Sequence, residues 1–177
     1  MTDVSDGFGF KRLTLQNWQT PDPVWRHFAH PPFLDPADAW VQDILKNELA
    51  ESVPIAVRRL FEVARGTLVY GFFFYPLLTV GTEQIFRVAD AATTIKCKSM
   101  TAPRAKTKPF ETRLEWLRDN NAFAESEYPR WDALREMRNT ASHPCDQHIL
   151  SPTPALQMLE ATAELINRLF DRHSANG

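Results

Sequence analysis

The feature that most constrains this chain is an uncharged run of 17 residues, GTLVYGFFFYPLLTVGT at 66–82, closed by Arg65 and Glu83. A membrane span needs about 20 predominantly apolar residues. The run is shorter than that and carries three glycines, three threonines and a proline, so it is not expected to cross a bilayer. It reads instead as helical sequence buried on most sides in a bundle, or partly buried against a second copy of the chain. With 177 residues, 44% of them hydrophobic and 24% charged, the chain is long enough for one domain with a sizeable core and short for two.

Helical spacing surrounds the run on both sides. Asp35 before Pro36 supplies an N-cap with proline at the first helical position, and Ala39, Trp40, Ile44 and Leu45 follow at steps of three and four, predicting a helix over about 36–50. Ser52 and Pro54 repeat the start signal ahead of Val57, Leu60, Phe61, Ala64 and Leu68, and Leu78, Ile85, Val88, Ala89 and Ala92 resume the face beyond Pro76. The region 54–97 is therefore either one helix bent at Pro76 or two in tandem. Residues 96–108, KCKSMTAPRAKTK, lack an apolar period and read as a loop. Spacing returns with Phe110, Leu114 and Leu117, stops at Asn120 and Asn121, and returns from Trp131 through Leu134 and Met137 to Ala141 before Pro144. A last helix carries Leu156, Leu159, Ala163, Ile166, Leu169 and Phe170, with Arg172 and His173 complementing its dipole. No segment alternates as a strand does. The class is all-α, an up-and-down bundle over 35–177 with its core at about 52–173.

Residues 1–34 have no period of either kind, yet hold Phe8, Phe10, Trp18, Trp25, Phe28 and Phe33 among prolines. They form an irregular N-terminal arm whose later part is expected to lie against the bundle, while the first few residues fray.

A formal charge of -2 and a pI near 6.2 leave no global basic field to recruit nucleic acid, so any such contact is local. The local candidate is the 96–108 loop, with five basic residues and no acidic one. Lys98, Arg104, Lys106 and Lys108 are either a solvated connection or a strip that contacts phosphates. Cys97 and Cys145 are too few for a disulfide framework and no secretory leader is evident, making a reducing cytoplasm the expected setting. His143, Cys145 and His148 fall within six residues without a second cluster, short of a structural zinc signature. No metal or cofactor is expected. A Gly-rich phosphate loop, a Ser-His-Asp pattern and a Cys-x-x-Cys pair are all missing, which removes most competing enzyme classes.

One segment stands apart, WDALREMRNTASHP at 131–144. Leu134, Met137 and Ala141 account for its apolar side, which leaves Arg138, Asn139, Ser142 and His143 at the helix end. Arg138 and Ser142 share a face, as do Asn139 and His143. Arg138 and His143 are about 140° apart on an ideal helix. They can reach one point where the helix loosens, and Pro144 disfavours helical geometry at His143.

Arg-Asn-Thr-Ala-Ser-His resembles the Arg-x4-His motif of the HEPN superfamily, in which a polar residue follows the arginine, here Asn139, and the motif ends a helix of an all-α bundle. The similarity covers about residues 52–173. It implies a metal-independent endoribonuclease whose motifs meet across a homodimer in a composite cleft. His143 from each copy would serve as base and acid. Arg138 would hold the phosphate and stabilise the pentacovalent state, and Asn139 would orient His143 or touch phosphate. Products would carry a 2′,3′-cyclic phosphate and a 5′-hydroxyl. Ser142 is an accessory candidate, and so is Glu83, because an acidic residue on that helix faces the motif in related bundles; Glu83 and Arg87 otherwise read as a surface ion pair. The family also implies a toxin-antitoxin or antiviral defence setting with an antitoxin or other regulatory partner. Side chains of these types also cap helix C-termini without any chemistry, so a noncatalytic binding or scaffold module, or a small-ligand or nucleotide sensor, stays open. The apolar excess of GFFFYPLL adds an expectation of dimerisation through the aromatic and motif helices.

Overall fold

The structure, a computed structural model, describes residues 10–28, 35–100, 109–141 and 150–171. Among the described residues there are six α-helices and no strand: α1 (Pro36–Leu45), α2 (Ile55–Tyr70), α3 (Leu77–Ser99), α4 (Phe110–Asp119), α5 (Tyr128–Ala141) and α6 (Pro152–Asp171). They pack as an up-and-down bundle with α3 at the centre, touching α2, α4, α5 and α6. Among the described residues no helix is long and apolar enough to cross a membrane.

The helix starts and stops have local causes. Asp35 Oδ1 accepts from the Ala37 N–H at 2.8 Å, opening α1 as the sequence predicts. The helix stops at Leu45 instead of near 50. Asn47 donates to the Asp43 carbonyl and Arg65 to the Leu45 carbonyl, each at 2.8 Å, so side chains take acceptors that a further turn would have used. The following loop is pinned to α6, where Asn167 accepts from the Ala50 N–H and donates to the Glu48 carbonyl. At the end of α4, Asn121 has φ 56°, its N–H bonds to the Arg118 carbonyl and the Ala122 N–H bonds to the Leu117 carbonyl. This is a Schellman stop with asparagine at the left-handed position.

Of the two arrangements open for 54–97, the chain adopts two tandem helices, with the break at 71–76. The arm occupies that break. Asp22 accepts from the Tyr75 N–H at 3.1 Å, its own N–H bonds to the Phe72 carbonyl, and Trp25 Nε1 donates to the Gly71 carbonyl at 3.2 Å. Backbone groups released by the break are thus satisfied by residues some 50 positions earlier. The Trp25 ring packs on Trp40, Phe72 and Tyr75, and Phe10 meets Phe74 edge to face. The arm is a packing strap, and it covers much of the aromatic run that was expected to face a second copy.

Two further expectations change. α3 continues to Ser99, so Lys96 and Lys98 belong to a helix and not to a loop. Lys96 is buried with its ammonium 5.4 Å from the Phe170 ring centre, and burying its long stem against α6 favours the extra turn. Met137, assigned to the apolar side of α5, is 45% exposed. Trp131 and Leu134 carry the burial on that helix.

Candidate functional site

The last turn of α5 places Arg138 with its side chain 40% exposed and leaves Asn139 exposed beside it. Ser142 and His143 lie outside the described residues, as do Arg104, Lys106 and Lys108. Lys98 is exposed on the final turn of α3. Cys145 and His148 also fall outside, and among the described residues no three His, Cys, Asp or Glu side chains gather to hold a metal.

Arg138 does not stand alone. Its Nη2 lies 3.9 Å from Oδ2 of Asp90 on α3, while Oδ1 of the same carboxylate pairs closely with Arg113 on α4. The carboxylate thus sits between two guanidinium groups from two different helices. Arg113 is only 6% exposed. Burial, then the nearby Arg138 charge, hold its pKa below the usual arginine value. Its ring-side neighbour is Phe110, 5.6 Å away, and Cys97 Sγ reaches the Arg113 carbonyl at 3.9 Å.

Glu83, the acidic residue singled out in the sequence, is exposed, and so is Arg87. Among the described residues no ion pair joins them, so the surface pair expected there is not formed. Glu83, Arg87 and Asp90 nevertheless fall within roughly 60° of one another around α3, and Asp90 lies about 10 Å further along the axis than Glu83. The chain re-enters the described residues at Leu150, whose N–H donates to Thr79 Oγ1 at 3.1 Å. Arg138 is thus level with Asp90 and Leu150 level with Thr79, and Glu83 and Arg87 occupy the α3 face between those levels.

Sequence reasoning missed Asp90 and Arg113. A signal was available for each. Asp90 is set among Val88, Ala89, Ala92 and Thr93, all buried, where a carboxylate needs a cation. Arg113 stands three residues after Phe110 and one before Leu114, on a stripe that is otherwise core.

No family model matches the chain, and neither a curated protein nor a solved structure matches it. The chemistry open to the site therefore follows from its side chains. A half-exposed guanidinium can engage two oxygens of a phosphate or carboxylate at once, and an exposed amide next to it can donate or accept.

Proposed function

We propose that this protein is a metal-independent endoribonuclease of the HEPN type, acting through Arg138, Asn139 and His143. The observation that carries the reading is Arg138 itself. It ends an α5 helix in an all-α bundle, half exposed, with one side of its guanidinium facing a fixed carboxylate and with Asn139 exposed next to it. A surface arginine serving only the helix dipole needs no such environment. His143 abstracts the 2′-hydroxyl proton, and a second copy of His143 protonates the leaving 5′-oxygen. Arg138 neutralises charge on the phosphorus as it becomes pentacovalent. Ser142 and Glu83 are accessory to this site, and Lys98 with Arg104, Lys106 and Lys108 tracks the RNA backbone. A homodimer provides the paired histidines, and a regulatory partner such as an antitoxin, in a defence setting, restrains the activity.

The test is incubation of purified protein with single-stranded RNA, with and without chelator, beside Arg138→Ala and His143→Ala. Each variant should fold and lose roughly 10²-fold or more in cleavage, chelator should change nothing, and the products should end in 2′,3′-cyclic phosphate and 5′-hydroxyl. Cleavage that survives both substitutions rejects the site. RNA bound but never cut by the wild type points to a noncatalytic binding module, and binding of a nucleotide alone points to a sensor.

A further inference from the structure

We infer that Asp90 is a positioning residue for Arg138, and that the buried Arg113 is the anchor that holds Asp90 in place for this task. The inference rests on the ribonuclease reading for its effect on rate, and on geometry alone for its effect on Arg138.

The three residues come from three helices. Arg113 projects from α4 into the interior, where its charge has little water to turn to, and the Asp90 carboxylate on the central helix meets it. The carboxylate cannot leave this pair without stranding the Arg113 charge in a low-dielectric interior, so it is fixed from one side. Its second oxygen faces Arg138 from α5 at 3.9 Å. That separation is ion-pair contact and too long for a hydrogen bond. Asp90 therefore biases the direction of the Arg138 guanidinium electrostatically, and the 40%-exposed side chain can be reached by a phosphate arriving from solvent. Opposite this, Arg113 and Arg138 repel, and the carboxylate between them is what allows two guanidinium groups to stand so near. The same triangle ties the end of α5 to α3 and α4, the elements that set where the 138–143 segment begins.

Asp90→Asn keeps the shape and removes the charge. Arg138 should then turn away from its neighbour, and RNA cleavage should fall at least about tenfold in kcat, as misplacement of a group that contacts the reacting phosphate does. KM should be unchanged or lower, because the site has become more positive. Asp90→Glu, which retains the charge, should recover part of the loss. A structural role alone makes a different prediction. The double variant Asp90→Leu/Arg113→Met replaces the buried pair by apolar side chains and should restore the melting temperature, yet it should remain as slow as Asp90→Asn, since Arg138 still lacks its carboxylate.

The second readout does not depend on cleavage. In arginine-labelled protein, ¹⁵N relaxation of the Arg138 Nε–Hε bond should report an ordered side chain in the wild type. In Asp90→Asn and in the double variant its order parameter should drop toward the mobile range, below about 0.6. If the double variant regains wild-type kcat, or if Arg138 is equally ordered with and without the Asp90 charge, the positioning role is wrong. If Arg138 loosens as expected while the wild type cuts no RNA, the positioning role stands and the ribonuclease reading falls.

Discussion

At Asp90 a carboxylate is shared by two arginines, and at Glu83 a carboxylate faces water; spacing on the helix does not tell them apart. Both lie on one side of α3, and only the approach of α4 and α5 decides which of the two meets a cation. That is why spacing on α3 pointed to this helix face without singling out Asp90. Cys97 shows the same dependence on neighbours. Its thiol is buried beside the Arg113 carbonyl, and burial pushes its pKa from 9.0 up to about 11. Below pH 9 the thiol is protonated whether the chain is folded or not, and its contribution to stability is complete. Between pH 9 and about 11 the unfolded chain loses this proton and the folded one keeps it, so stability falls as pH rises, by about 1.4 kcal/mol per pH unit at the steepest. Lys96, whose pKa burial lowers, works in the opposite sense, because its neutral form is the one the fold prefers. Urea titrations of the wild type and of Cys97→Ala between pH 8 and 10.5 separate the two: the wild type should lose stability with pH more steeply than the variant. Parallel slopes would mean that the thiol is not protected by burial.

The elements themselves were legible, since the apolar positions recur at steps of three and four in every helix that formed. Their ends were less so. α1 closes early because Arg65 and Asn47 take its carbonyls, and the 71–76 break is settled by Asp22 and Trp25; of these partners only Asn47 is near in sequence to the helix end it decides. Packing between elements gives a prediction of opposite signs at two glycines. A Cβ on Gly81 of α3 would lie 2.7 Å from Leu68 Cδ2 of α2, whereas one on Gly66 of α2 would meet nothing within 4 Å. Gly66→Ala should stabilise by up to about 1 kcal/mol, the helix-propensity difference. Gly81→Ala receives the same benefit and loses about 1–3 kcal/mol to overpacking against a fully buried leucine. Denaturant midpoints should therefore move up for Gly66→Ala and down for Gly81→Ala, and a rise in both would show that α2 and α3 have room to separate. From the last turn of α3 onward the question is one of charge. If Lys98, Arg104, Lys106 and Lys108 contact an RNA backbone, their joint replacement by glutamine should flatten the slope of log affinity against log salt by about 0.7 per residue. An unchanged slope would make the segment a solvated connection.

For the whole molecule, the arm alters where a second copy could bind. One cluster of buried residues extends from Trp25 to Leu169 and takes in Phe72 and Tyr75 of the aromatic run, with Phe73 partly buried against it, which spacing could not reveal because the arm carries no period. Exposed apolar side chains among the described residues include Leu13, Leu15 and Trp18 in the arm, Leu45 on α1, Ile55, Val63 and Tyr70 on α2, Val80 on α3, and Met137 on α5. Met137 immediately precedes Arg138, so an interface that covers it brings the 138–143 segments of two copies together, as a composite site requires. An exposed methionine at the centre of such a contact contributes by burial of its flexible apolar chain, and a carboxylate in its place would be buried without a partner. If the proposed dimer forms through this surface, Met137→Glu should shift it to monomer in sedimentation velocity at micromolar concentration and reduce the proposed RNA cleavage in parallel, with Arg138 and His143 untouched. Val63→Glu, on the outer face of α2, should do neither. A wild type that sediments only as monomer would remove the composite site. A Met137→Glu protein that stays dimeric and active would place the interface away from α5, and a Val63→Glu protein that dissociates would place it on α2.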